Sequence, residues 1–314
     1  MGHFIIRRLL LMIPVLIGVS VIVFVLMRVI PGDIALLLAG DHATEERLEE
    51  IRQELGLKKP LHQQYAGWLW GVCRLDFGKS MWSGETVLSE IARRFPLTLQ
   101  LALMTTLITV AISIPVGVIC AIRQDSAKDY VLRVFAISGL SLPSFWIGIL
   151  IIMALVAAFR WAPPLGYVNI WEDPSKNMQI LIWPAIAVGF RQAAIQARMS
   201  RSCMLEVLRQ DYIRTAWAKG LREKTVVIRH ALKNALLPVI TIIGVEFAFL
   251  FGGLVVTEAV FTLPGVGRYL VDAIHHRDYT VIQAIVLIMA VIVSVANLAV
   301  DIIYGWVDPR VRLQ

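Results

Sequence analysis

The stretch Leu97–Ile122, LTLQLALMTTLITVAISIPVGVICAI, runs for 26 positions without a charged residue. A helix rises about 1.5 Å per residue, and the hydrocarbon core of a bilayer is about 30 Å thick. Such a block is long enough to cross it. Leu9–Met27, Val134–Phe159 and Tyr279–Val300 are equally free of charge. Two further blocks are less clean. Met178–Phe190 is apolar but short and runs into Arg191, and Ala235–Thr257 is long enough but carries Glu246. Both read as spans if their charges face protein or water instead of lipid. The chain therefore reads as an all-α integral membrane protein with about six transmembrane helices, near residues 9–30, 97–122, 132–158, 179–198, 235–257 and 280–304. Composition agrees: 58% of residues are hydrophobic and mean hydropathy is +0.71, against about 45–50% apolar in soluble domains. Arg7 and Arg8 before the first block suggest a signal peptide, but the run is too long for one and no small-residue cleavage site follows, so it reads as a retained span.

Basic residues give the orientation, because inner flanks are enriched in Lys and Arg. With the N-terminus inside, the inner segments hold 16 of them: Arg7 and Arg8, then Arg123, Lys128 and Arg133, nine from Arg198 to Lys233, and Arg310 and Arg312. The short outer loops hold Arg160, Lys176, Arg268 and Arg277. Both termini are expected inside. The net charge of +7 is then a matter of topology and implies no nucleic acid. The expected organisation is residues 1–30 as N-terminus and first span, 31–96 as an extracytoplasmic helical loop, 97–304 as the remaining spans with an inner loop at 199–234, and 305–314 as an inner tail. Within 31–96, Thr44 can cap a helix whose apolar positions are Leu48, Ile51 and Leu55, with Gly56 as a stop and Pro60 beyond; the loop is either a small helical cap or a solvated connector. Pro143, inside Ser141-Leu142-Pro143-Ser144, is the best candidate for a kink, beside a polar path or in plain packing.

Motifs for bond chemistry are missing. Gly78-Lys79-Ser80 resembles the end of a phosphate loop, but the glycine required five positions earlier is Cys73. His275 and His276 are adjacent, about 100° apart on a helix, and chelate poorly. Cys73, Cys120 and Cys203 lie in separate segments without metal or disulfide spacing. Neither GxSxG nor HExxH occurs, so a membrane enzyme is unsupported. Glu246 in mid-span must face a cavity, find a partner such as Arg191, or be protonated; a polar transport path and an interhelical pair both fit. A stand-alone secondary transporter would need an ion site, for which Glu246 and Asp301 are the acidic hints, and Asp301 reads as a structural contact near the inner boundary.

The inner loop is the most informative segment. It contains Asp211-Tyr212-Ile213-Arg214-Thr215-Ala216-Trp217-Ala218-Lys219-Gly220-Leu221 and, further on, His230-Ala231-Leu232-Lys233-Asn234-Ala235-Leu236-Leu237-Pro238. Ala216, Ala218 and Leu221 favour helix, and Gly220 can end one turn and start the next, which predicts two short charged helices at the inner face. Such a pair either docks in a partner's groove or fixes topology against anionic lipid. These strings resemble the cytoplasmic EAA loop of ABC-importer permeases of the dipeptide/oligopeptide branch. Phe4-Ile5-Ile6-Arg7-Arg8-Leu9, Ile30-Pro31-Gly32-Asp33, Glu54-Leu55-Gly56-Leu57, Thr257-Glu258-Ala259-Val260-Phe261, Leu263-Pro264-Gly265-Val266-Gly267 and Asp308-Pro309-Arg310 match along the chain. Arg214-Thr215-Ala216 stands where the general pattern has Glu-Ala-Ala, a departure typical of the peptide branch.

The resemblance implies a type I importer permease in the bacterial cytoplasmic (inner) membrane. It implies a homologous second permease forming a heterodimer with this one, two cytoplasmic ATPases that hold ATP and Mg, and an extracytoplasmic binding protein; this chain itself would need no cofactor or metal. Asp211, Tyr212, Arg214, Thr215, Ala216, Lys219, Gly220 and Leu221 would contact an ATPase. Glu258, Pro264, Gly265 and Gly267 would face the binding protein. Glu246, Arg191, Ser141 and Pro143 are the candidates for the translocation path. Di- or oligopeptides are the expected substrate, with nickel chelates, glutathione, opines or sugars as alternatives.

Overall fold

The computed structural model describes residues 2–29, 44–54, 58–162 and 166–307. The elements are α1 (Gly2–Val29), α2 (Glu45–Glu54), α3 (Leu61–Cys73), α4 (Val87–Ile122), α5 (Ala127–Ser141), α6 (Ser144–Phe159), α7 (Pro174–Leu208), α8 (Asp211–Ala218), α9 (Glu223–Val260), α10 (Val266–His275) and α11 (Tyr279–Val307). Helices α1, α4, α7, α9 and α11 are each long and apolar enough to cross a membrane, and α5 with α6 supplies a sixth, broken span. With the bent α5–α6 pair counted as one span, six crossings return the chain to the side on which it began.

The broken span corrects the expectation of one helix over 132–158. Helices α5 and α6 are bent by 104° at Leu142-Pro143. Proline holds its own φ at −62° and its ring drives the preceding residue out of the helical region, so Leu142 is extended at φ −106°, ψ 132°. The predicted kink lies at the predicted residue and is a corner.

Other spans are longer than their apolar blocks. Helix α4 starts at Val87, ten residues before Leu97, and contains Pro96 and Pro115. Helix α7 begins on the Asp173 cap, which accepts from the Lys176 N–H at 3.0 Å, and runs on to Leu208. Positions 199–208, expected in a loop, are therefore helical. The second short helix expected after Gly220 is instead the start of α9. In the outer segment α2 forms with Leu48 buried; Leu55, Gly56, Ile30-Pro31-Gly32-Asp33 and Asp308-Pro309-Arg310 lie outside the described residues.

Inside a membrane, helices associate through close backbone approach and polar side chains more than through apolarity. The α4–α7 seam is built that way. A Cβ on Gly117 would collide with Ser200, and Gly189 lies against Thr105 and Ile108. Thr109 donates to the Gly189 carbonyl at 3.2 Å, Ser113 to Gln196 at 3.3 Å, and Gln100 to Asn177 at 2.5 Å. Helices α9 and α11 cross at Gly244, where a side chain would collide with Val300. Leu181, Leu250, Phe251 and Leu254 fill the centre. Helix α1 lies at the periphery, pinned to α11 by Arg8–Asp301 at 2.9 Å and to α3 by Ser20–Tyr65 at 2.8 Å and a Phe24–Tyr65–Trp68 cluster. Asp301 thus makes the structural contact expected of it.

Candidate functional site

At the inner end, α8 is a two-turn helix with a sharp division of faces. Ile213 and Ala216, three apart, are buried against Met204 of α7, Ala121 of α4, and Val226, Val227 and Ala231 of α9. Asp211, Arg214, Thr215 and Lys219 are exposed, and Tyr212 and Trp217 are close to half exposed. Tyr212 is held by its tip: Asn234 donates to its hydroxyl at 2.8 Å. Gly220 follows at φ +72°, a left-handed conformation that glycine adopts without a Cβ penalty. The chain reverses there and enters α9 through Val226–Leu232, which is wound as a π-helix. Wide turns of this kind concentrate at functional sites. It ends in the His230-Ala231-Leu232 string, and its Val226, Val227 and Ala231 form the seat on which α8 rests. Of the expected contact residues, Ala216 is buried and Leu221 part-buried against the chain's own core.

At the outer end, the Thr257–Phe261 and Leu263–Gly267 strings form one unit. Helix α9 stops at Val260, Thr262 takes φ +53°, and α10 starts at Val266. The first N–H groups of a helix lack partners inside it. Here Val266 N–H donates to Thr98 Oγ1 at 3.0 Å, and Arg268 N–H donates to Glu258 Oε2 at 3.1 Å. Thr98 in turn donates to Glu258 Oε1 at 2.7 Å. A Cβ at Gly265 would collide with this carboxylate, and one at Gly267 would collide with Val255. Both glycines of the string are explained by that close approach. Glu258, expected to face a binding protein, is fully buried in this chain, and its carboxylate caps α10 from within. Gly265 and Gly267 are buried too, and Pro264 is half-buried. Within Phe261–Asp278 the exposed positions are Thr262 and Ile274–Arg277.

A second buried carboxylate secures the same end. Asp278 accepts from Ser80 Oγ at 2.6 Å, from Trp82 N–H at 3.3 Å and, through Oδ1, from Val281 N–H at 3.2 Å, which caps α11. Ser80 belongs to the failed phosphate-loop string, and this bond is its structural use. His276 packs its ring on Trp82 at 4.0 Å. Arg94 pairs with Glu90 at 3.0 Å and lies over the Tyr269 ring. Burial, with Asp278 and Glu90 nearby, pushes the Tyr269 phenol above its ordinary range and keeps it protonated.

In mid-membrane, Glu246 is half-buried, and its partner is Gln192, whose Nε2 donates to Oε2 at 3.4 Å. Arg191 is exposed, and among the described residues it makes no ion pair with Glu246. Neighbours on a helix are turned about 100° apart, so the residue facing α9 is the next one along. Ser141 donates to the Ile137 carbonyl at 3.0 Å within α5, and Pro143 stands at the corner. Glu246 and Ser141 are thus not brought together by any recorded contact. Sequence reasoning missed Asp129. It is fully buried and accepts from Arg133 at 2.7 Å and from Arg201 Nε and Nη2, each at 3.2 Å. The Asp129–Arg133 spacing of four is the one signal that could have marked it.

The family described as "Binding-protein-dependent transport system inner membrane component" matches residues 113–313, and its N-terminal component matches residues 1–102. The dipeptide transport system permease protein DppB of Escherichia coli (strain K12) is 40% identical, over 99% of both chains. A putative peptide transport system permease protein of Brucella abortus (strain 2308) is 43% identical, again over 99% of both. Among solved structures, the inward-facing MetNI methionine ABC transporter superposes with a TM-score of 0.59 at 18% identity, covering 70% of this chain and 96% of that one; this likeness is one of fold. A helical chain with six crossings, these end structures and these relatives belongs to the family of inner-membrane components of binding-protein-dependent transport systems: it is a multi-pass transport permease and not an enzyme.

Proposed function

We propose that this permease forms half of the translocation pathway of an ATP-driven importer of di- or oligopeptides. A homologous second permease supplies the other half, an extracytoplasmic binding protein delivers the solute, and two cytoplasmic ATPases hold the ATP and Mg. The observation that carries the reading is α8. Its buried Ile213 and Ala216 root it on the inner ends of α4, α7 and α9, while Asp211, Tyr212, Arg214, Thr215, Trp217 and Lys219 present an uncovered polar and aromatic face. A short stiff helix with that division of faces suits a groove on a partner. Movement of the partner is then passed to three spans at once. Peptide as the solute rests on the names of the relatives, which describe dipeptide and peptide transport.

The test is Gly220→Pro in the complete importer. Proline cannot adopt φ +72°, so α8 loses its seat. The expected result is loss of peptide-stimulated ATP hydrolysis while the spans still insert. Retained stimulation overturns the coupling role of α8. Stimulation of the wild type by a nickel chelate or glutathione, and not by peptides, overturns the substrate.

A further inference from the structure

Arg198 and Arg201 lie one turn apart on α7, and Arg133 approaches them from α5. The three line one cavity of about 340 Å³ between these helices, with Leu132, Ile137 and Leu140 on its wall. The charges around it do not balance. Asp129 meets Arg133 and Arg201, and Asp125 meets Arg133 at 3.5 Å, so two acids face three cations. Arg198 is exposed and makes no ion pair among the described residues. Arg133 keeps its Nε–H buried without an acceptor. Buried donors without partners are rare and mark a missing group. The cavity therefore offers one unneutralised positive charge, at Arg198, and an unused donor beside a mostly hydrocarbon wall.

Depth gives the chemistry of the occupant. Arg198 opens the basic inner segment, while Leu140 and Ala194 stand deeper in the span. Gly139 packs against Phe190 and Ala194 and closes the deep end. Val131, Val134 and Ile137 are largely exposed and carry the apolar wall out along α5. Cations at the inner interface with hydrocarbon one turn deeper suit an amphiphile with an anionic head. Basic pockets between spans on this side hold such headgroups, and guanidinium forks match phosphate oxygens. We propose that this pocket binds an anionic glycerophospholipid of the inner leaflet, with its phosphate at Arg198 and Arg133 and an acyl chain along Ile137 and Leu140. The site is independent of the solute carried.

The experiment is native mass spectrometry of the complete importer released from membranes containing phosphatidylglycerol and phosphatidylcholine. The wild type is expected to retain phosphatidylglycerol selectively. Arg198→Gln should weaken that retention about fivefold, the contribution of one basic residue at an anionic surface, and Arg198→Lys should keep most of it. A photoactivatable phosphatidylglycerol should label 132–140 or 194–202 in the wild type, which needs no variant to fold. Equal retention by the wild type and Arg198→Gln overturns the proposal. So does labelling confined to other segments, or an Ile137→Cys chain that cross-links to the second permease, which would make this face a subunit contact.

Discussion

The two ends of this permease use polar residues in opposite ways. At the outer end, Glu258 and Asp278 are buried and directed at the chain's own N–H groups. At the inner end, Asp211 and Arg214 are exposed, and their mutual contact at 3.4 Å is a surface pair of little energetic weight. The outer end thus spends its acids on holding α10 and α11 in place. Helix α8 leaves its charges uncommitted and is fastened by Ile213 and Ala216, while the buried inner acid Asp129 is spent on joining α5 to α7. Polar residues turned inward build a fixed frame, and polar residues turned outward are available to another protein.

That contrast can be broken in order of expected effect. Glu258→Ala removes the acceptor for Thr98 and Arg268 N–H in a site closed to water. It should cost about 4 kcal/mol of stability, read as a lowered unfolding midpoint of the purified permease. A shift below about 1 kcal/mol would show that Glu258 is not the fastening. Asp278→Ala should cost about 2 kcal/mol, since it takes away the α11 cap and the Ser80 bond. Gly265→Ala should cost about 1–3 kcal/mol by pushing against the Glu258 carboxylate, and combining it with Glu258→Ala should relieve that cost. Inner-face variants should behave differently. Arg214→Ala and Trp217→Ala should change stability by no more than about 0.5 kcal/mol, yet lower peptide-stimulated ATP hydrolysis, with Trp217→Ala the larger at about tenfold. Equal losses of stability at both ends would erase the distinction.

Much of the fold was legible because bilayer thickness sets a length that apolar blocks either meet or do not. The corner at Pro143 was legible because proline acts on its immediate neighbour. The ends of spans were less so. Helix α7 continues to Leu208 because its charged residues from Arg198 onward sit beyond the hydrocarbon, where an amphipathic helix persists and hydropathy no longer reports it. At the candidate site, Gly220 was readable from glycine's conformational freedom. The role of Glu258 was not, since its partner Thr98 is 160 positions away and nothing local distinguishes a buried cap from an exposed glutamate. Arg191 was the natural electrostatic mate for Glu246, but one position along a helix changes the face, and Gln192 occupies the place. The π-wound turn left no mark that composition could reveal: Val226–Leu232 would serve equally well in an ordinary α-helix.

One consequence follows from the continuity of α9. Its 38 residues, Glu223–Val260, run unbroken by any loop, a length of about 57 Å at the usual helical rise. Its lower end carries the seat of α8, and its upper end carries Glu258, two residues from its tip. The helix is therefore a single strut joining both faces of the membrane. A displacement applied beneath it at α8 would reach α10 through one continuous helix, in which the π-wound Val226–Leu232 and Pro238 are the places that can bend.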